Sequence, residues 1–511
     1  MAQDFAQTIA DGYKFSGAVL DVGRPVRDGK MFSELPVSLP MAMMNRHGLI
    51  AGATGTGKTK TLQLLAGALS ESGVPVFLAD LKGDLSGLAR PGVSNDKLQA
   101  RCKDLKVAFA PKGHTVEFLS LTGKQGAQVR ATVSSFGPLL LAKVLDLNDT
   151  QQGVLALLFK FCDDQHLPIL DLPDLKAVVA YLQGLDAKDL AGYGGMSKAA
   201  LGVLNRKLVE LEQQGADLFL GEPEFDIKDL LRTTPDGKGV ISILSLADIQ
   251  DRPALFSTFM MWLLGELFHQ LPERGDVDKP VLVFFFDEAH LLFDEASKAL
   301  LNQVEQVVKL IRSKGVGVYF VTQTPKDIPA DVLAQLGNRF QHALRAFTPD
   351  DAKALKATAG TFPRTPFYDI EKELTSLGIG EALVTVLDPQ GRPTPVVATR
   401  LIPPDSLMGA LDEKDFKTAL KAGSLQAKYA QAIDRESARE ILQKKIAVPQ
   451  AAGRSTRDAE GENLPSPEPA RGRRGKPEPS MAEEILKSPL TRQIGREVVR
   501  GLYGLLKKNL R

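Results

Sequence analysis

A run of glycines and threonines around one lysine is the clearest chemical signal in this chain of 511 residues. Residues 52–59 read GATGTGKT and match the pattern G-x-x-x-x-G-K-[ST] at every position. The apolar residues 48–51 before this run are typical of a buried strand, and apolar residues at helical spacing follow from Thr61 to Leu69. A strand, a glycine-rich loop and a helix in this order predict a phosphate-binding loop.

The residue types explain how such a loop would hold a nucleotide. Its glycines let successive backbone N–H groups converge on the phosphates, and the following helix directs its positive end at the same charge. Lys58 is expected to reach the β- and γ-phosphates, and the Thr59 hydroxyl to bind Mg²⁺. ATP is preferred over GTP because the chain has no N-K-x-D element for reading guanine. The residues expected to contact ATP are Gly52, Ala53, Thr54, Gly55, Thr56, Gly57, Lys58 and Thr59.

A second signal is the segment VLVFFFDE at residues 281–288, an apolar strand that ends in two acids. Asp287 is expected to hold Mg²⁺, and Glu288 to orient and deprotonate an attacking water. An ordinary core strand with a solvated acidic end is the alternative, and the complete phosphate-binding loop makes it the weaker one. The double acid also favours hydrolysis over small-molecule kinase chemistry, in which a water-activating glutamate would waste ATP.

Polar residues end two further strand-like segments. In VGVYFVTQTP at residues 316–325, Gln323 is a candidate for hydrogen bonding to the γ-phosphate or to the attacking water. In ADLKGDLSG at residues 79–87, Asp80, Lys82 and Asp84 follow the strand next to the loop, where open α/β sheets bind ligands. Lys82 and Asp84 either line the nucleotide site or belong to a solvated turn, and the sequence leaves both interpretations open.

These motifs need a scaffold of alternating strands and helices. Continuous apolar strands separated by helices predict an α/β fold with a mostly parallel sheet covered on both faces. Residues 139–232 are instead helical in pattern and suggest a helical subdomain inserted into this core, with Asp149 or Thr150 as a helix N-cap. The predicted strands are 74–79, 107–110, 115–119, 239–246, 281–286, 316–322 and 340–344, and the predicted core helices include 253–270 and 297–313.

The order of the three motifs, followed by LAQLGNRFQHALR, resembles the HerA/FtsK superfamily of P-loop ATPases. Within it, NRHGLIAGATGTGKT and FLADLKGDLSGLARPG resemble the bacterial YjgR-type proteins. The resemblance implies a RecA-like core, a homo-oligomer in the form of a hexameric ring with ATP between subunits, and DNA as a possible partner. It also implies that a neighbour's arginine contacts the γ-phosphate, for which Arg312, Arg339 and Arg345 are candidates.

The domain organisation expected from these patterns has five parts. They are an N-terminal lead-in at 1–47, a RecA-like ATPase domain at 48–403, a helical extension at 404–447, a disordered linker at 448–480 and a basic amphipathic C-terminal helix at 481–511. Residues 471–511 hold 11 Lys and Arg against 4 Asp and Glu, a net charge of +7. This last helix is expected to dock on the core, with a neighbouring subunit, lipid or nucleic acid as alternatives.

Composition excludes several other classes of protein. The net charge of +1 gives no global attraction to nucleic acid or membranes, and no apolar run reaches the 18 residues of a membrane span. The two cysteines do not suggest a disulfide framework, and the six scattered histidines show no zinc spacing. We therefore expect buried thiols and a cytoplasmic protein without a transmembrane segment.

The sequence thus predicts Mg²⁺-dependent ATP hydrolysis by a ring-forming motor that translocates or remodels DNA, the DNA part resting on the resemblance alone. Two alternatives keep the nucleotide site. One is an ATPase that energises a protein-translocating or conjugation-like assembly, and the other is a nucleotide-gated switch with slow turnover.

Overall fold

The structure is a computed structural model that describes residues 4–186, 191–193, 196–293, 298–433 and 435–452. The described residues up to Pro449 form one compact unit. The last described helix ends at Ala452, so the first five residues of the predicted linker are helical. The rest of that linker and the predicted helix at 481–511 lie outside the described residues.

The described strands form one sheet of thirteen strands. Its order is β2-β1-β13-β12-β11-β4-β10-β9-β5-β8-β6-β7, with β3 paired to β1. The strands are β1 Val19–Arg27, β2 Lys30–Met31, β3 Val37–Pro40, β4 Gly48–Ala51, β5 Val76–Asp80, β6 Val116–Ser120, β7 Ala127–Gln128, β8 Ile241–Ser245, β9 Leu282–Phe286, β10 Val316–Thr322, β11 Asn338–Gln341, β12 Glu381–Thr385 and β13 Val397–Leu401.

The sheet has a parallel part and an antiparallel part. All pairings from β11 through β4, β10, β9, β5, β8 and β6 to β7 are parallel, which confirms the predicted α/β core. The strands β12, β13 and β1 extend it with antiparallel pairings that the sequence did not reveal. The strand predicted at 107–110 is wrong, because these residues form no strand, and the one predicted at 340–344 begins earlier, at Asn338.

Helices cover both faces of the sheet. They are α1 Phe5–Gly12, α2 Lys58–Glu71, α3 Asp96–Leu105, α4 Val133–Val144, α5 Asp149–Asp164, α6 Leu172–Gly184, α7 Lys198–Gln213, α8 Pro253–Gln270, α9 His290–Phe293, α10 Lys298–Ile311, α11 Ala330–Leu333, α12 Pro349–Ala359, α13 Ile370–Ser376, α14 Glu413–Ala422, α15 Ser424–Tyr429 and α16 Ala438–Ala452. The N-cap of α5 is Asn148, which forms a capping box with Gln151, and not Asp149 or Thr150. Asparagine is as good an N-cap acceptor as aspartate, and Asn148 stands one residue before Asp149.

Two apolar cores lie on opposite faces of the sheet. One face packs β5, β9 and β10 against α8, α10 and the helices α4–α7, with Trp262 and Phe284 fully buried. The other face packs α1 and α2 against the same strands through Leu65, Phe285 and Tyr319. Strands buried on both faces are held rigidly, so the residues at their ends have fixed positions.

Three further features concern the ends of the chain and its thiols. Residues 403–433 and 435–445, which we call the C-terminal strap, run from α2 to the helices inserted before β8.

Cys102 and Cys162 are buried free thiols, as expected. None of the described helices combines the length and the apolar character that crossing a membrane requires.

Candidate active site

The glycine-rich loop connects β4 to α2 and is folded tightly against its surroundings. Gly52 has a φ of +153°, and a Cβ built on it would lie 2.5 Å from the Cβ of His342. His342 is buried beneath the loop, and its Nε2 lies 2.9 Å from the hydroxyl of Thr61 in α2. The close approach of Gly52 to His342 leaves no room for a side chain, which explains why glycine occupies position 52.

Lys58 begins α2 and turns back over its own loop. Its Nζ donates to the carbonyl oxygens of Gly52 at 2.7 Å and Ala53 at 3.2 Å. Burial lowers the pKa of Lys58, and the negative charges of Glu288 and Asp287 act in the opposite direction. The ammonium group is therefore held over the loop and within electrostatic reach of the two acids predicted at the end of β9.

The sheet brings the loop and these acids to one edge. Strand β10 lies between β4 and β9, with Thr322 opposite Ala51 and Phe320 opposite Phe286. All three strands are parallel, so their carboxyl ends meet at the same edge, and two strand spacings amount to roughly 10 Å. The backbone N–H of Gly52 donates to the carbonyl of Thr322, which joins the loop to the strand that Gln323 follows.

Asp287 lies in a group of carboxylates. Burial, followed by the charges of Glu288, Asp84 and Asp80, raises the pKa of Asp287 to about 7. Carboxylates that oppose the charged form of Asp287 in this way favour a cation among them, and carboxylate and hydroxyl oxygens are the ligands that Mg²⁺ prefers. The donor set of this edge therefore fits a divalent cation, with Asp287 and the half-buried Thr59 at the start of α2 as the residues available to hold it.

Glu288 has an unusual backbone conformation, and its carboxylate lies beside a lysine and a histidine. Its φ is +49°, a left-handed conformation that costs a residue with a side chain about 1 kcal/mol. Its Oε1 accepts from Nζ of Lys82, and Nδ1 of His290 lies 3.5 Å from its Oε2. The carboxylate is 7% exposed, so it is shielded from bulk water.

Gln323 and Asp80 lie at the same edge of the sheet, but Gln323 differs from Asp287 and Glu288 in exposure and Asp80 differs from them in hydrogen bonding. Gln323 follows β10 directly and its side chain is exposed, at the same edge as the loop. Asp80 is buried and accepts from the backbone N–H groups of Lys82, Gly83 and Leu85, so it shapes the turn after β5. Burial raises the pKa of Asp80 to about 6.

The arginine candidates lie at different places along the sheet: Arg312 precedes β10 at the edge opposite the loop, Arg339 lies within β11, and Arg345 follows β11 at the edge of the loop. Arg312 and Arg339 line a cavity of about 370 Å³ together with Arg46 and Lys309. Arg46 stands two residues before β4, and the loop begins directly after β4. The length of this strand therefore separates Arg46 from the loop by about 13 Å. Arg345 does not line this cavity, and its Nη1 donates to the carbonyl of Thr375.

The cavity is strongly basic. Burial, then the positive charge of Arg46, lowers the pKa of Arg312, and burial lowers that of Arg339. Among the described residues, no Asp or Glu lines the cavity. Arg46 was not among the predicted residues, although its position two residues before the strand of the phosphate-binding loop was a usable signal.

Comparisons with known proteins place the chain in a family. The family model described as Helicase HerA-like C-terminal matches residues 27–511. The DNA double-strand break repair helicase HerA of Sulfurisphaera tokodaii is 23% identical over 366 residues, covering 70% of this chain and 66% of that protein. The probable helicase MJECL08 of Methanocaldococcus jannaschii is 24% identical over 366 residues, covering 67% and 64%. The chain thus spans slightly under two thirds of the length of these relatives.

Solved structures with a similar fold include a bacterial conjugative coupling protein and a VirB4 protein. TrwBdeltaN70, a bacterial conjugative coupling protein, has a TM-score of 0.49 and 16% identity, covering 77% of this chain and 97% of that one. VirB4 of Thermoanaerobacter pseudethanolicus has a TM-score of 0.45 and 16% identity, covering 76% and 97%. Because the family model matches almost the whole length, the chain belongs to the family of HerA-like helicase C-terminal proteins, and its mostly parallel α/β core carries the phosphate-binding loop motif.

Proposed function

We propose that this chain is the subunit of a Mg²⁺-dependent ATPase motor that acts on DNA. The observation that supports this best is the meeting of Lys58, Asp287 and Glu288 at one edge of the parallel sheet. A phosphate-binding loop alone would suit many nucleotide-binding proteins. A buried glutamate beside the expected metal ligand adds a group that can take a proton from water, which favours hydrolysis.

Each residue of this edge has a distinct part in the proposed reaction. The backbone N–H groups of residues 52–59 bind the phosphates, and Lys58 exchanges its contacts with the loop carbonyls for the β- and γ-phosphates. Thr59 and Asp287 would hold Mg²⁺, which neutralises charge that develops on the phosphates. Glu288 accepts the proton of the attacking water, and Gln323 hydrogen-bonds the γ-phosphate or that water.

The basic cavity supports a role for the arginines in a neighbouring subunit. Arg46 and Arg312 precede β4 and β10, at the edge of the sheet opposite the loop of their own chain, and Arg339 of β11 lines the same cavity. A head-to-tail ring would place this edge of one subunit against the loop of the next, with a guanidinium group on the γ-phosphate. We infer a homo-oligomeric ring, hexameric by resemblance, in which one or more of these arginines act in trans.

A mixing experiment tests this arrangement. Arg312→Ala and Lys58→Ala subunits should each be nearly inactive alone, because each removes one half of every shared site. Mixed rings contain interfaces that combine an intact loop with an intact arginine, so mixing should restore part of the ATPase activity. If mixing restores nothing for Arg312, Arg339 or Arg46 variants, while rings still form by light scattering, the arginines do not act in trans.

DNA is the polymer that we propose, because the HerA relatives are named as DNA double-strand break repair helicases. The test is steady-state ATP hydrolysis with Mg²⁺, measured with and without single- and double-stranded DNA. Lys58→Ala and Glu288→Gln should each reduce turnover by roughly a hundredfold or more. Turnover that the Glu288→Gln variant retains in full would exclude the proposed base, and turnover indifferent to both DNAs would exclude DNA as the polymer.

A further inference from the structure

Lys82 contacts the proposed base directly. Its Nζ pairs with Oε1 of Glu288, and this hydrogen bond is the main cause of the raised pKa of Lys82. The two residues differ sharply in exposure, since the lysine side chain is 55% exposed and the glutamate 7%. An exposed lysine therefore reaches inward to a buried carboxylate of the active site.

The pair leaves the two carboxylate oxygens of Glu288 in different situations. Oε1 is occupied by Lys82, while Oε2 is buried and accepts no hydrogen bond from any residue that the structure describes. His290 is the nearest cationic candidate for Oε2, at 3.5 Å. A buried carboxylate oxygen normally accepts a hydrogen bond, so Oε2 is available to accept one. Water is the smallest hydrogen-bond donor that fits there.

The turn that carries Lys82 is fixed by its own hydrogen bonds. Asp80 accepts at 3.2 Å from the N–H of Lys82, at 2.8 Å from that of Gly83 and at 3.1 Å from that of Leu85. Gly83 supplies the left-handed residue of the turn, with a φ of +78°. The backbone of Lys82 is thus held beside β9, and its side chain needs only to extend toward Glu288.

We propose that Lys82 is a positioning residue for ATP hydrolysis, which holds Glu288 so that Oε2 faces the attacking water. This inference rests on the proposed function of the same site. In the step concerned, the water oxygen forms a bond to the γ-phosphorus, and the bond from that phosphorus to the bridging oxygen of ADP breaks. The proton of the water passes to Oε2, and the products are ADP and phosphate.

Removing the amine should slow turnover without weakening nucleotide binding. Misplacing a general base typically costs roughly tenfold to a hundredfold in rate, so Lys82→Ala should lower kcat by about that factor. The KM for ATP and the affinity for a fluorescent ATP analogue should change by less than about twofold, because Lys82 acts through Glu288 and not on the nucleotide. Lys82→Arg, which keeps a donor and a charge, should retain most of the rate.

The surface pair between Lys160 and Asp164 supplies a matched control. The side chain of Lys160 is 54% exposed, so Lys160→Ala removes a lysine of the same exposure from α5, and its kcat should equal that of the wild type. Melting temperatures of all variants show whether each is folded.

A double-mutant cycle separates this role from others. In the Glu288→Gln background, Lys82→Ala should cost almost nothing further, because the carboxylate that it positions has gone. The proposal is overturned if Lys82→Ala costs the same factor in both backgrounds, if it raises KM at constant kcat, or if it increases turnover. Failure of the proposed function is a different result, since wild-type protein would then hydrolyse no ATP, or Glu288→Gln alone would leave the rate unchanged.

Discussion

At the scale of single residues, Gly52 is the loop glycine at which a side chain would fit least well. Its φ of +153° is unfavourable for any residue with a side chain, and an added methyl group would overlap His342 at 2.5 Å. We expect Gly52→Ala to lower the affinity for ATP by more than about tenfold, because the first turn of the loop must shift. Titration with a fluorescent ATP analogue measures this directly.

Gly55 is the matched control for that substitution. It also has a positive φ, +78°, but a Cβ built on it meets no atom within 4 Å. Gly55→Ala therefore carries only the cost of the left-handed backbone, about 1 kcal/mol, and should bind the analogue better than Gly52→Ala does. Equal losses in the two variants would mean that contact with His342 is unimportant.

How much of the site the sequence could predict depends on distance along the chain. The loop was predictable because phosphate binding needs glycines, lysine and threonine at fixed local spacing. The pairing of Lys82 with Glu288 joins residues 206 positions apart, and no local pattern could pair them. The basic cavity is similar, since Arg46, Arg312 and Arg339 come from three separate segments.

At the scale of secondary-structure elements, His47 links the start of β4 to two neighbours. Its Nδ1 accepts from the backbone N–H of Val318 in β10 at 3.0 Å, and its Nε2 donates to the carbonyl of Val308 in α10 at 2.8 Å. This pair of contacts requires the neutral ring with the proton on Nε2. Burial, against the opposing hydrogen bond to Val308, lowers the pKa of His47 to about 4.

The lowered pKa predicts a loss of stability in mild acid. Between pH 6.5 and 4 the unfolded chain binds a proton at this histidine and the folded chain does not, so the free energy of unfolding falls as the pH falls. From pH 7 to 5 the loss is roughly 2 kcal/mol for His47. His342 is buried with its pKa also lowered to about 4, and should contribute a similar amount. The raised pKa values of Asp287 and Asp80 act in the opposite direction, because these groups stabilise the fold as the pH falls. The share of His47 is therefore measured by comparing urea denaturation of wild type and His47→Asn across this range.

Variants at two histidines check the assignment. His47 has a φ of +60°, which asparagine tolerates, so His47→Asn should fold, with lower stability at pH 7 and a shallower dependence on pH. His166→Asn is the control, since His166 is exposed and also has a positive φ. A His47→Asn protein with the full wild-type pH dependence would contradict the proposed cause.

Some elements were predictable and others were not, for a physical reason. Strands of the parallel part are buried on both faces, so β9 and β10 are continuous apolar runs that the sequence displays. The antiparallel strand β1 alternates between exposed and buried residues only over its first four positions and contains Gly23 and Pro25, which obscured it. The apolar residues 107–110 resemble a strand locally, yet they pair with no neighbouring strand in the described sheet.

At the scale of the whole molecule, the C-terminal strap connects parts that are distant in sequence. Near its start, the carbonyl of Leu407 accepts from Gln63 and that of Met408 from Lys60, both in the helix after the loop. Near its end, Asp174 of α6 accepts from the backbone N–H of Arg439. The sequence predicted helices in this region but not their position, because the anchoring contacts join residues about 300 positions apart.

Glu117 in β6 is the anchor in the middle of the strap. Its carboxylate is 7% exposed and accepts from the N–H of Ser424 at 3.0 Å and of Leu425 at 3.3 Å, the first residues of α15. Arg232 completes the group, with its Nη2 3.1 Å from Oε1. This one carboxylate satisfies several donors at once. A charged acceptor stabilises buried N–H groups at the start of a helix more than a neutral acceptor does.

Glu117→Ala should therefore release the strap while the sheet remains folded. Buried donors left without an acceptor cost about 1–3 kcal/mol, which should lower the free energy of unfolding and speed tryptic cleavage within residues 424–445. Glu413→Ala is the control, since Glu413 is 83% exposed and pairs only with Lys417 of its own helix among the described residues. Cleavage of Glu117→Ala at the rate of Glu413→Ala would mean that the apolar contacts of Leu425 and Tyr429 hold the strap without this anchor.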